Sequence, residues 1–290
     1  MKTFFCIVGF VVFLDLAAMS TASAAKPDSL AMPSTVDGRN PEARLLSAFF
    51  GLDNDLPFIA NVLCLGAFKK DGMPVVLSHT IHPDSLETEQ FQVVTRSGEV
   101  STPKCVTLRP ADDSGEHRTV LLIGEFGDAP DDPPVSVQVL ADLFSLGIPS
   151  VNFKGATTDI TPLAAGPSMV LAEVVAQNEW ADKRRGTNCP ENIQQVIRTT
   201  WDGGVRLPSG DEPGDTERQL YRVTVKRGDG SSDEIKPVAL AELGDGDNNH
   251  FLCLDTADPA VSISFPAGHL VDPNQDLNPD TQIRVSRDVD

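Results

Sequence analysis

The sequence predicts an all-β fold made of two antiparallel β-sandwiches, with a short helix ahead of them. From Pro74 onward, short runs rich in Val, Ile, Leu and Thr recur at spacings near ten residues, separated by turn residues, as is typical of sandwiches. Apolar residues follow a helical pattern before these runs, and a polar stretch divides the runs into two sets. We therefore expect two β domains in sequence.

The predicted helix belongs to residues 25–56, whose first part, Lys26 to Arg39, reads as a flexible lead-in. Asn40 is a good N-cap, Pro41 suits the first helical position, and Gly51 is a good stop. Between them one face is apolar, through Leu45, Leu46, Phe49 and Phe50.

The first sandwich is expected over residues 57–176. Its predicted strands are Val75 to Ile81, Phe91 to Thr95, Cys105 to Leu108, Thr119 to Glu125, Val135 to Leu140, Val151 to Lys154 and Met169 to Val175.

Residues 177–188 are polar and lack apolar periodicity, which predicts a linker. The second sandwich, residues 189–290, has predicted strands at Gln195 to Thr200, Tyr221 to Lys226, Asp233 to Val238, Phe251 to Leu254, Val261 to Phe265 and Gln282 to Val285. A helical turn is the alternative for Pro237 to Leu243.

The first 24 residues have the pattern of a cleavable signal peptide. Lys2 is a positive start, Phe4 to Leu14 form an apolar run, and Ala22-Ser23-Ala24 supplies the small residues of a cleavage site. An uncleaved anchor is the alternative, but the run is about half of the ~20 residues that span a bilayer, and Asp15 interrupts it. We expect a secreted or periplasmic protein without membrane insertion after cleavage.

The formal net charge is -19. Such a field repels nucleic acid and anionic lipid heads, so the expected partners are an envelope or extracellular protein or polymer, with no nucleic acid. A solvated acidic surface explains most of the 42 acidic residues.

Four cysteines lie beyond the signal peptide, and an even number in an exported chain favours disulfides. Of the three possible connectivities we favour Cys64 with Cys105 and Cys189 with Cys253, which puts one bridge in each proposed domain. Buried reduced cysteine is the alternative.

Two segments resemble the Ig-like domains of bacterial surface-layer and adhesin proteins. One runs from Val75 through His82-Pro83-Asp84-Ser85-Leu86 to Phe91-Gln92-Val93-Val94, and the other from Gly268 to Asn278. The likeness is confined to these two segments. It implies Ig-like sandwiches used for binding or spacing, and the long Asp/Pro insert at Asp128 to Pro134 departs from the pattern.

The most specific candidate site is a loop with oxygen-bearing side chains at every second residue, namely Asp272, Asn274, Asp276, Asn278 and Asp280. This resembles the spacing of a calcium loop. The match is incomplete, because Leu277 replaces the glycine at the sixth position and Ile283 the glutamate at the twelfth. An Asx/Pro turn explains the same residues.

A second oxygen-rich loop contains Asp245 and Asp247, and it could share a cation with the first loop or form only a turn. His79 and His82 are not expected to chelate one ion, because residues three apart on a strand face opposite sides.

The sequence contains no Gly-x-Ser-x-Gly nucleophile motif, no His-Glu-x-x-His zinc motif and no nucleotide-binding motif. We therefore expect an exported, non-catalytic binding or envelope-structural protein, in which either a calcium ion or a plain Asx/Pro turn holds the oxygen-rich loop. The alternative is a secreted hydrolase with a carboxylate or metal site on sandwich loops.

Overall fold

A computed structural model of the chain describes residues 42–113, 115–180, 187–244 and 246–286. The predicted signal peptide and flexible lead-in lie outside these residues, as do residues 181–186 of the predicted linker. From Pro41 to Asp290 the chain forms one compact unit.

The described residues are mainly β-strand. The strands are β1 Leu45–Phe49, β2 Asp71–Leu77, β3 Phe91–Thr95, β4 Val100–Ser101, β5 Cys105–Thr107, β6 Thr119–Gly124, β7 Pro134–Val139, β8 Thr157–Thr161, β9 Met169–Val174, β10 Gln195–Trp201, β11 Arg222–Lys226, β12 Ser232–Ile235, β13 Ala239–Ala241, β14 Asn249–Leu254, β15 Ala260–Phe265 and β16 Thr281–Arg284. The helical elements are the α-helix α1 Asp215–Arg218 and 3-10 helices at Phe58–Val62, Pro83–Ser85, Thr88–Gln90 and Gln177–Glu179. The all-β class predicted from the sequence is confirmed.

The first half of the chain forms a single eight-stranded sheet in the order β4-β3-β7-β8-β1-β2-β6-β5. Its pairs are antiparallel except β1 with β8, which is parallel. Val93 of β3 and Val137 of β7 lie towards one edge of the sheet, and Val75 of β2 and Leu122 of β6 lie towards the other. All four belong to one core, so the sheet curls round it. This differs from the two antiparallel sheets expected for a first sandwich.

The second half contains two four-stranded antiparallel sheets, β13-β14-β10-β9 and β12-β11-β15-β16. Ile197 and Leu252 of the former share a core with Val223 and Ile263 of the latter, together with the fully buried Trp201. The two sheets of this half therefore enclose one shared core.

The predicted N-terminal helix is wrong where the structure describes it, because Leu45–Phe49 is strand β1. Ala48 pairs with Val75 of β2 on one side and with Ile160 of β8 on the other. Strand partners on both sides satisfy the backbone polar groups of this segment and bury it, which overrides its helical apolar spacing.

Four other expectations differ from the structure. The strand expected at Val75 to Ile81 begins earlier, at Asp71, and Val151 to Lys154 is not a strand. β9 was expected in the first sandwich but pairs with β10 of the second half. The helical turn considered for Pro237 to Leu243 is instead strand β13.

Disulfides join Cys64 to Cys105 and Cys189 to Cys253, the connectivity favoured from the sequence. In the part of the chain that the structure describes, no helix has the length and apolar content needed to cross a membrane.

Candidate functional site

The predicted calcium loop is closed by hydrogen bonds to its own oxygens. One carboxylate oxygen of Asp272 accepts from the backbone N–H of Asp276 at 2.8 Å, and the amide of Asn274 donates to the Asp276 carboxylate at 2.7 Å. The side-chain oxygen of Asn278 accepts from two backbone N–H groups, and Asp280 accepts from that of Ala267. The oxygens of this loop therefore accept hydrogen bonds from N–H groups of the chain itself.

In the second acidic loop, Asp245 lies outside the described residues. Asp247 accepts from the backbone N–H of Asn249 at 2.7 Å and from its side-chain amide at 2.9 Å. Among the described residues, no three His, Cys, Asp or Glu side chains form a group that could hold a metal ion. The two loops are not joined in a cage of that kind within this part of the chain.

The structure instead brings Asp272 near a carboxyl group that the sequence did not single out, that of Asp202. Both side chains are buried. Asp202 directly follows β10 and accepts from the backbone N–H of Ser168 at 2.8 Å. Burial, with the charge of Asp272 as a smaller cause, raises the pKa of Asp202 to about 7.

Asp272 is the more unusual member of this pair. Burial, followed by the nearby charge of Asp276, raises its pKa to about 6. Its second carboxylate oxygen, Oδ2, is buried and has no hydrogen-bond partner among the residues that the structure describes. A buried oxygen of this kind calls for a proton or a cation.

An apolar cleft of about 180 Å³ adjoins these acids. It is bounded by the Phe49 to Leu56 segment, the β5–β6 connection and the Gly203-Gly204 turn. Its lining residues are Phe49, Gly51, Leu52, Leu56, Gly72, Pro74, Leu108, Arg109, Pro110, Ala111, Thr119, Leu121, Gly203, Gly204, Gly246, Asp247, Asn248 and Pro273. Asp202 and Asp272 do not line it, although the residue after each of them does.

A second, polar cleft of about 500 Å³ contains two buried arginines, Arg118 and Arg198. Arg118 pairs with Glu173 at 3.1 Å, and Arg198 pairs with Glu173 at 3.2 Å and with Glu179 at 3.4 Å. Two carboxylates thus balance the two guanidinium groups, so this cleft has no excess positive charge from them to attract an anion.

The histidines serve local structure. His82 accepts from the backbone N–H of Asp84 and caps a 3-10 turn, while His79 lies 2.8 Å from the hydroxyl of Ser78. His250 is fully buried, 2.9 Å from the Tyr221 hydroxyl, and burial lowers its pKa to about 4. His250 is therefore a neutral core group near pH 7.

The fold and the clefts together define an all-β, two-disulfide protein with an apolar cleft bordered by buried acids. Comparison with known families and curated proteins finds no match for the chain.

Proposed function

We propose that this chain is an exported, non-catalytic binding protein that holds one apolar side chain of an envelope or extracellular partner in the apolar cleft. The apolar walls of the cleft are the main support for this proposal, because an apolar side chain packs favourably against them. They are formed mainly by Phe49, Leu52, Leu56, Leu108 and Leu121. Export rests on the signal-peptide pattern, and the two disulfides are compatible with it.

The volume of the cleft sets the size of the occupant. A cavity of ~150 Å³ lined by apolar side chains takes up benzene, so about 180 Å³ suits one aromatic ring or branched aliphatic group. Partners commonly insert such an anchor into an apolar pocket. Arg109, Asp247 and Asn248 supply polar groups for the surrounding chain.

The cleft offers recognition more readily than acid–base chemistry. Among the described residues that line the cleft, the one carboxylate is that of Asp247, and it accepts two hydrogen bonds from Asn249. The Ig-like character of the sandwiches, which the sequence resemblance implies, and a calcium ion at Asp272 remain part of this proposal.

The test fills the cleft without straining the backbone. A side chain added at Gly204 meets open space, and the same holds for Gly228 on the exposed β11–β12 hairpin. A random peptide library is selected on the wild type, and affinities are measured for Gly204→Leu and Gly228→Leu. We expect peptides with a shared aromatic or aliphatic anchor that lose at least tenfold affinity for Gly204→Leu only.

Selected peptides that bind both variants and the wild type equally, or a selection that yields no anchor residue, would contradict the assignment of the cleft.

The rival function is a secreted hydrolase, and the raised pKa values of Asp202 and Asp272 favour it. Against it, both carboxyl groups are buried behind the cleft wall. Turnover of a polysaccharide or peptide substrate by the wild type that Asp202→Asn abolishes would establish the rival.

A further inference from the structure

A cluster of large apolar side chains protrudes from the segment Pro57–Lys69, which we call the apolar loop. Phe58, Ile59, Val62 and Leu65 are 73%, 71%, 75% and 90% exposed, and Leu63 and Phe68 are also exposed. Isolated exposed apolar residues are ordinary, but six within eleven positions form a patch of the kind that marks an interaction surface.

Several constraints hold the apolar loop in place. Its base is a small core of Leu56, Ala60, Ala67 and Ile123, to which the Cys64–Cys105 disulfide adds a covalent tie. The side-chain oxygen of Asn61 accepts from the backbone N–H groups of Gly66 and Phe68, closing the turn. The exposed side chains are therefore displayed by an ordered scaffold.

The sequence of the apolar loop carries a charge opposite to that of the whole chain. Between Asp55 and Asp71 there is no acidic residue, and Lys69 and Lys70 end the segment, whereas the formal net charge is -19. Lys104 joins them in space: a Cβ built on Gly66 would lie 2.9 Å from its ammonium nitrogen. Lys70 pairs with Glu125, and the exposed Lys69 and Lys104 remain at the rim.

We propose that the apolar loop docks on the surface of an anionic phospholipid bilayer. The protruding side chains would enter the boundary between headgroups and acyl chains, and the rim lysines would contact headgroup phosphates. At physiological ionic strength charges beyond ~8 Å are largely screened, so these lysines outweigh the distant acidic surface at contact.

The shape of the loop favours a bilayer over a protein partner. Phe58 and Phe68 meet edge to face with ring centroids 5.7 Å apart, and Lys69 lies over the Phe68 ring at 5.7 Å. Apolar side chains and long lysines form a projecting tip that a fluid surface accommodates without complementary shape. The proposal is independent of the apolar cleft.

The test is co-sedimentation with vesicles of phosphatidylcholine alone and of phosphatidylcholine with 30% phosphatidylglycerol. The chain from Ala25 onward is used, because the apolar run Phe4 to Leu14 would itself bind vesicles, and this form keeps the compact unit Pro41–Asp290. We expect binding to the anionic vesicles and at least fivefold weaker binding to the neutral ones.

Two matched comparisons locate the contact. Phe58→Ser with Leu65→Ser should reduce binding at least tenfold, and Val100→Ser, at an exposed edge strand, should not. Lys69→Glu with Lys104→Glu should remove the preference for anionic vesicles, whereas Lys226→Glu should leave it.

Absence of binding to either vesicle would overturn the proposal, as would equal effects of the loop and control variants. Self-association in sedimentation velocity that Phe58→Ser with Leu65→Ser abolishes, without vesicle binding, would assign the loop to a second copy of the chain instead.

Discussion

A guanidinium nitrogen of Arg118 lies 3.1 Å from a carboxylate oxygen of Glu173. Arg118 directly precedes β6 of the eight-stranded sheet, and Glu173 lies in β9 of the second half. Glu173 also pairs with Arg198, and all three residues are buried. A shared, buried ion-pair network thus links the two halves into one compact unit.

We expect Arg118→Met to lower the free energy of unfolding by about 3 to 5 kcal/mol, because it leaves Glu173 with only part of its compensation in a buried site. Urea denaturation measures this loss. Arg227→Met removes a more exposed partner of Asp233 and Asp258 and should cost no more than about 1 kcal/mol. Equal losses in the two variants would mean that the buried network is not a main link.

The hydroxyl of Tyr221 forms a hydrogen bond with the buried ring of His250. Tyr221→Phe removes the partner 2.9 Å from His250 Nδ1 and should destabilise the fold by about 1 to 3 kcal/mol, the cost of a buried unsatisfied polar group. Thermal or urea unfolding checks this. Ser231→Ala, which removes an exposed hydroxyl from a hairpin, should change stability by less than about 0.5 kcal/mol.

Local sequence pattern predicted the strands whose residues alternate between core and surface. Phe91–Thr95 is strand β3, as predicted, with alternating burial. Strands β1 and β8 were not predicted, because their strand conformation depends on partners that are distant in sequence. Leu45–Phe49 has helical apolar spacing, and Thr157–Thr161 is mostly polar. They pair with each other across more than a hundred residues.

The candidate site shows the same limit. Asp272 stood out because its loop is rich in oxygen-bearing residues, whereas Asp202 lies in Trp201-Asp202-Gly203-Gly204, which has the composition of an ordinary turn. Its burial comes from tertiary packing, including contact with Ser168, more than thirty residues away. No local pattern carries that information.

The two buried acids predict how stability depends on pH. The folded-state pKa values of Asp202, about 7, and Asp272, about 6, exceed the usual value of 3.8, so the folded chain binds protons more tightly than the unfolded chain. Both contributions are fully present below pH ~4 and are lost as pH rises to about 7.

Asp202→Asn removes the larger of these contributions. At roughly 1.4 kcal/mol for each pKa unit, the variant should gain on the order of 3 to 4 kcal/mol relative to the wild type between pH 4 and pH 7. Urea denaturation in EDTA at several pH values measures the difference. A difference that stays constant with pH would show that Asp202 titrates normally in the folded chain.

A cation bound at Asp272 would stabilise the charged form of this buried carboxylate and therefore the folded chain. Its unpartnered Oδ2 is the oxygen that a calcium ion would use, with Asp202 close enough to add charge. For an affinity of about 0.1 to 1 mM, typical of extracellular modules, ~5 mM calcium would stabilise the fold by about 1 to 2 kcal/mol.

We therefore expect a melting temperature a few degrees higher in 5 mM calcium than in EDTA at pH 7.5, measured by calorimetry. Asp272→Asn should abolish the increase, because it removes the charge while keeping a similar shape. Asp229→Asn, on an exposed hairpin, should retain it. Overlapping melting curves for the wild type across millimolar calcium would contradict calcium binding. The buried Oδ2 of Asp272 would then carry a proton, and the loop would be a structural turn.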